Sequence, residues 1–284
     1  MHYEVGPQLL DWEVSHPEEE DKRKWRKETR RMLLVREPYE RLVSGFVNKV
    51  WLRPSFWKKV GHDVMKMSGV LAPDSEWTEK CSVYATFPEF VRYFIESEKS
   101  GLARNPHFIP IHDHCGMCSE KYTPHYIGHL ETVREDLNYI LKTVGVNVTL
   151  GAKKNNDFVR SQADFILQKE QEDVRLCTGS NHTILAAVWF SYQFRGMIAD
   201  KIPFPLTRNQ CKTITVQDFS DIVQIAMDNS KGQFSPAEQK RQHLVKMYGQ
   251  VPLADRLAVK RIFEKDFQMF GYDPKPSFVF AEIS

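Results

Sequence analysis

The segment RRMLLVREPYERLVSGFVNKV, residues Arg30 to Val50, joins a short apolar strand to an amphipathic helix through an arginine and a proline. Met32, Leu33, Leu34 and Val35 form a brief apolar run suited to a buried strand. Pro38 sits where a first helical turn tolerates a missing N–H, so a helix is expected to begin there. Tyr39, Leu42, Val43, Phe46, Val47 and Val50 then recur at the spacing that lays one stripe along a helix facing a core. Ser44 falls off that stripe. Arg36 at the strand's carboxyl end and Ser44 are about two turns apart, roughly 80° round at 3.6 residues per turn, so both can address one anion beside the helix start. Arg41 can add a charge to the same site, although Glu37 and Glu40 lie near enough to pair with it.

The whole chain bounds this reading. Its 284 residues, 42% hydrophobic and 27% charged, suffice for a sizeable core in a single α/β domain. With 39 basic and 37 acidic residues the formal charge is +2, too balanced for a nucleic-acid binder acting through bulk charge. An anionic ligand must therefore meet a local patch. No run approaches the roughly 18 apolar residues of a membrane span, and the opening MHYEVGPQLL has neither the basic start nor the apolar stretch of an export signal. The cysteines, Cys81, Cys115, Cys118, Cys177 and Cys211, are odd in number, so disulfides within the chain leave one over. His112, His114, Cys115 and Cys118 in HDHCGMC are candidate zinc ligands, but structural zinc sites join two separated ligand pairs and no second pair follows. A disulfide-bonded or buried loop is expected there, and no metal. Sequons stand at Asn147 and Asn181.

Residues 18 to 31, EEEDKRKWRKETRR, read as a solvated, mixed-charge helix. Trp51 to Asp74 reads as an irregular lid or acceptor loop, in which Trp51 and Trp57 either stack on a ligand or belong to the core. Phe87, Phe90, Val91 and Phe94 at i, i+3, i+4 and i+7 predict a helix with a core face. Asn105 to Pro124 lacks periodicity and is expected to be a loop that carries binding groups. Tyr126 to Gly128 is a strand candidate, followed by a helix from Glu131 to Thr143 with Val133, Leu137, Ile140 and Leu141 inward and Gly145 at its end. Ile184 to Phe194 is a buried helix or strand, Pro203 to Lys212 a loop, and Leu257 to Phe270 a closing helix carrying Val259, Ile262, Phe263, Phe267 and Phe270 on one side.

The wording Arg36, Pro38, Arg41, Leu42, Ser44, Phe46, Asn48, Lys49 resembles the Golgi carbohydrate sulfotransferases that modify chondroitin, dermatan and related glycans. His107, Phe108 and Pro110, then Cys115 to Cys118, then Tyr126 to Thr132 with Asp136 follow that family's order of an HW-x-P, a C-x-P-C and an IGK-x-ET segment. Phe108, Met117 and His129 stand where the family usually has tryptophan, proline and lysine. Arg261 to Tyr272 resembles its closing helix. The resemblance is dense over residues 31–145 and returns over 245–272, with 150–240 as a variable region and 1–30 as a charged lead-in. It implies a P-loop-like sulfotransferase fold of the α/β class, helix-rich with a short parallel sheet. Nothing before Arg31 reads as the family's 5′-phosphosulfate loop, Gly6 being the sole glycine there, so an N-terminally incomplete domain is expected.

By the same resemblance the donor is 3′-phosphoadenosine 5′-phosphosulfate, the acceptor a hydroxyl of a glycosaminoglycan or N-glycan, and the setting the Golgi lumen, with membrane attachment only through an anchor that this chain lacks. Arg36 and Ser44, with Arg41, would hold the donor's 3′-phosphate. Sulfuryl transfer needs an in-line hydroxyl, a base to take its proton, and cations or N–H groups around the moving group. His107 is the candidate base, because histidine accepts a proton near neutral pH. Glu131 and Asp136 match acidic family positions, and helix capping explains them equally well. The alternative is an inactive remnant that binds nucleotide or glycan without turnover. A zinc-dependent module built on His112 to Cys118 is a third class.

Overall fold

The computed structural model describes residues 29–53, 56, 60–67, 85–114, 124–146, 155–169 and 181–281. In chain order the elements are β1 (Met32–Val35), α1 (Pro38–Gly45) continuing as a π-helical turn (Phe46–Trp51), α2 (His62–Met67), α3 (Phe87–Ser100), α4 (Ile111–His114) and β2 (Tyr126–His129). They continue with a 3₁₀ turn (Leu130–Thr132), α5 (Val133–Thr143), α6 (Asn155–Asp164) with a second π-helical turn (Phe165–Lys169), α7 (His182–Phe194) and α8 (Gln210–Thr213). The series closes with α9 (Val216–Ser230), α10 (Pro236–Gly249), α11 (Leu253–Ile262), α12 (Glu264–Phe270) and α13 (Ser277–Phe280). This is the helix-rich arrangement with a short parallel sheet that the sequence implies. Among the described residues no helix is long and apolar enough to cross a membrane.

Contacts divide the chain into two units, one holding β1, β2 and α5, the other running from Arg36 to Cys118 and from Leu150 onward. In the first, β1 and β2 pair in parallel with Met32 opposite Tyr126 and Val35 opposite His129. The Arg31 carbonyl accepts from the N–H of His125 at 2.8 Å, extending the pairing by one link. Gly128 lets the strands and α5 close up: a Cβ there would stand 2.9 Å from the Leu34 side chain and 3.3 Å from the Cβ of Asp136. Ile140 is buried, and Val133, Leu137 and Leu141 are half-buried on the same face of α5, as the periodicity predicts.

The second unit is built on the stripe of α1. Tyr39, Leu42, Val43, Phe46, Val47 and Val50 are all at most 1% exposed. The Glu37 carboxylate caps the helix start by accepting from the Glu40 N–H at 2.6 Å. Tyr39 pins that start twice, its hydroxyl donating to the Pro274 carbonyl at 3.0 Å and its carbonyl accepting from the Tyr248 hydroxyl at 2.9 Å. Helix α3 begins in a capping box of Thr86 and Glu89 and buries Phe87, Phe90, Val91 and Phe94, where the spacing places them.

Several expectations change. The helix after Pro38 is not α throughout but widens to π geometry from Phe46, a distortion found most often at functional sites. The expected loops contain helices, α2 within Trp51 to Asp74 and α4 within Asn105 to Pro124. Ile184 to Phe194 forms a helix, α7, which resolves the strand alternative. The closing helix starts earlier, at Leu253, and bends at Phe263 into α12, where Phe263 donates to Val259 and accepts from Phe267, so the bonding runs through. Cys211 is a free, buried cysteine, and burial raises its thiol pKa. Cys81, Cys115, Cys118, Cys177, Trp57, Asn147 and the charged run before Thr29 lie outside the described residues.

Candidate functional site

Arg36 lies in the two-residue link between β1 and α1, and Ser44 lies on the polar side of α1, both half-buried. Arg36 does not stand alone. Its guanidinium meets Glu40 one turn on at 3.3 Å, and the same carboxylate oxygen accepts from the ammonium of Lys240 on α10. Gln239, the neighbour of Lys240, is buried and fixes α10 against the end of α7: its amide N–H donates to the carbonyls of Gln193 at 2.7 Å and Ile198 at 2.9 Å. Its amide oxygen accepts from the Asp200 N–H at 2.9 Å.

Ser44 is approached from the other side. The Asn48 amide N–H donates to the Ser44 hydroxyl oxygen at 3.1 Å, and the Asn48 amide oxygen accepts from the guanidinium of Arg195, just past α7. Arg195 also lies over the face of Phe158, 5.1 Å from the ring centre. Burial lowers the pKa of Arg195, and the nearby positive charge of Arg36 lowers it further. Arg36 and Lys240 thus share the Glu40 carboxylate, and Arg195, joined to Ser44 through Asn48, feels the charge of Arg36. Such an excess of positive charge around hydroxyl and guanidinium donors is suited to a phosphate.

Arg41 is placed differently from the expectation. Its guanidinium donates to the backbone carbonyls of His107, Phe108 and Ile109 and lies 5.8 Å from the centre of the Phe263 ring. Three carbonyls in one loop offer a fixed array for a five-donor fork. Arg41 therefore holds the His107 loop against α1. Gly45, the residue after Ser44, permits the fit: a Cβ there would come 2.9 Å from the Phe108 ring. The His107 ring itself sits 5.5 Å from the Phe56 ring, with the Lys49 ammonium 5.5 Å from the other side of that small cluster at Phe56. Burial lowers the Lys49 pKa, and Arg53 adds to the effect.

The remaining candidates have structural partners. Asp136 accepts from the His129 N–H at 2.6 Å and the Thr132 hydroxyl at 2.9 Å, and these bonds, the backbone one first, lower its pKa. Asp136 thereby ties the end of β2 to the first turn of α5. Trp51 belongs to the core, its ring 5.0 Å from Phe46 and 5.2 Å from Phe190, with the indole N–H on the Ala85 carbonyl at 3.2 Å. Asn181 is 7% exposed and so is not presented for a glycan. Lys240, Asn48 and Arg195 were not singled out from the sequence; only Asn48 stood within a motif.

Comparison with known proteins bears on the same segment. Carbohydrate sulfotransferase 14 of Homo sapiens is 29% identical over 114 residues, 40% of this chain and 28% of that protein. Carbohydrate sulfotransferase 11 of Rattus norvegicus is 32% identical over 120 residues, 41% and 33%. Carbohydrate sulfotransferase 10 of Danio rerio is 30% identical over 124 residues, 41% and 33%. The matched part thus spans about a third of the length of these curated relatives. No solved structure matches. The sequence model described as the sulfotransferase family matches residues 5–175, more than half of the chain, which carries the Arg36 to Ser44 element and the His107 loop. On that match, the chain belongs to the sulfotransferase family.

Proposed function

We propose that this protein is a carbohydrate sulfotransferase that moves a sulfuryl group from 3′-phosphoadenosine 5′-phosphosulfate to a glycan hydroxyl. The observation that carries the reading is the family-matched strand, link and helix that holds Arg36 just before α1 and Ser44 on its polar side, with Lys240 and Arg195 bonded to their neighbours Glu40 and Asn48. Arg36 and Ser44 bind the donor's 3′-phosphate, and the half-buried setting strengthens each charged hydrogen bond relative to water. His107 is the general base for the acceptor hydroxyl, presented by the loop that Arg41 ties to α1. Lys49, whose pKa burial lowers, stands over the Phe56 ring that His107 also contacts and adds positive charge where an anionic glycan would enter. The acceptor is a glycosaminoglycan or N-glycan sugar, the working place the Golgi lumen, and the whole chain serves as one sulfotransferase-like domain. The relatives' names, all carbohydrate sulfotransferases, support a carbohydrate acceptor, and the finer assignments rest on the family resemblance.

Titration calorimetry with adenosine 3′,5′-bisphosphate tests the donor site. Arg36→Ala and Ser44→Ala should each weaken binding by about 1.5–3 kcal/mol, the worth of a hydrogen bond to a charged group. Unchanged affinity in both variants overturns the site. Transfer of labelled sulfate from the donor to chondroitin, dermatan and N-glycan acceptors then separates an enzyme from a chain that binds nucleotide without turnover.

A further inference from the structure

The orientation of Asn48 can be derived rather than assumed. A side-chain amide can be turned either way, and its oxygen and nitrogen are told apart by their partners. Arginine has donors only, so the atom of Asn48 that meets Arg195 must be the oxygen. The amide nitrogen is thereby turned to Ser44 and donates to its oxygen at 3.1 Å. A hydroxyl that receives a hydrogen bond on its oxygen keeps its own proton for another partner. The Ser44 proton is thus left for another acceptor, which the proposed donor site supplies as the 3′-phosphate.

We infer that Arg195 is a positioning residue of this phosphate site, acting through Asn48 to hold Ser44 as a donor toward the anion. The inference rests on the reading of α1 as the donor's 3′-phosphate site. Two further observations support it. The Nε of Arg195 is buried without a hydrogen-bond partner, although a charged donor in that position is costly to leave unmatched. Arg195 and Arg36 also lie close enough for the charge of one to disfavour the charge of the other, a repulsion that a bound phosphate dianion relieves. The position of Arg195 is built in. It follows α7 directly, where the helix's partial negative end offsets its charge. The next residue, Gly196, turns the chain at φ 69° with Pro236 so near that a Cβ would stand 2.5 Å from the proline Cβ.

The test uses the 284-residue chain and two probes, adenosine 3′,5′-bisphosphate and adenosine 5′-monophosphate, which differ only at the 3′ position. Arg195→Gln should lose about tenfold or more of the affinity for the bisphosphate while binding of the monophosphate stays the same. Arg195→Lys, which keeps a donor and the charge without the fork, should recover part of the loss. Asn48→Asp leaves Arg195 in place but offers only acceptors, so the Ser44 proton turns to the new carboxylate and the 3′-phosphate preference should disappear. Equal losses on both nucleotides, or none on the bisphosphate, overturn the inference. If the unmodified chain shows no preference for the bisphosphate, the donor-site reading itself fails. If the preference is present and survives in Arg195→Gln and Asn48→Asp, only the relay fails.

Discussion

Two charged clusters in the larger unit are made of similar parts and end differently. In one, Asp266 of α12, 1% exposed, accepts from the N–H groups of Ile111 and His112 at 2.8 and 3.0 Å and from the His112 ring at 2.7 Å. His112 reaches on to Asp113 at 3.2 Å, and Asp113 shares Arg104 with Glu98 at 2.6 and 2.7 Å. Carboxylates and donors alternate, and each atom named has its counterpart inside the protein. In the other, Glu40 is shared by Arg36 and Lys240 while Arg195 keeps a buried, unmatched Nε. A self-contained network fixes two segments in place, here α4 and α12. A network with cations to spare leaves charge for a ligand, and on the proposed function that is how the Arg36 cluster differs from a staple.

The sharpest way to break that contrast is Asp266→Ala. It strands a buried histidine and two backbone N–H groups, and should cost about 3–5 kcal/mol of stability in urea unfolding, while the folded protein keeps its affinity for adenosine 3′,5′-bisphosphate. A loss under about 1 kcal/mol would show the network to be no staple. Gly196→Ala should come next. A residue with a Cβ is strained at φ 69° and meets Pro236, so a loss of about 1–3 kcal/mol is expected in thermal unfolding. Because the strain is adjacent to Arg195, the 3′-phosphate preference should fall with it, linking this fold position to the open cluster. The smallest effect concerns acid. Arg104, chiefly through its hydrogen bond, lowers the Asp113 pKa below its ordinary 3.8. As pH falls, the unfolded chain takes up this proton first, so the pair's contribution is fully present above 3.8 and is lost as pH falls through the folded value. Asp113→Asn should therefore flatten the acid dependence below pH 3.8. At pH 7 it should cost only about 0.2–1 kcal/mol, since Asp113 and Arg104 are about a third or more exposed.

The two clusters were not equally visible in the sequence. The stripe from Tyr39 to Val50 and the stripe of α3 are periodic over several turns, and burial follows period closely because one helix face meets one core. Arg36 and Ser44 share that local frame, so their places before and on α1 were legible for the same reason. Arg195 was not, because it comes from 147 residues beyond Asn48 and follows an apolar helix whose own pattern says only that it is buried. A glycine just after an arginine at a helix end marks a C-terminal turn, and that is all it marks. Arg41 shows the converse. Standing inside the motif, it read as a ligand for the anion, yet its fork is taken by carbonyls 66 to 68 residues away, a tertiary match that no local spacing announces. Asp266 looked like one more charge on a closing helix, and its burial depends on α4, which aperiodic sequence did not suggest.

Gly45 and Phe108 share a volume that neither can enlarge alone, since a single added carbon on Gly45 would lie 2.9 Å from the ring. The two positions are therefore tied by size rather than by charge. In a library that randomises both, folded and binding-competent clones should separate into pairs of small with large side chains, glycine beside an aromatic or alanine beside a slimmer residue, and double enlargements should be missing. The helix that carries Ser44 and the loop that carries His107 can then change only in step, so divergence in how this protein handles its donor and its acceptor has to pass through one shared van der Waals contact.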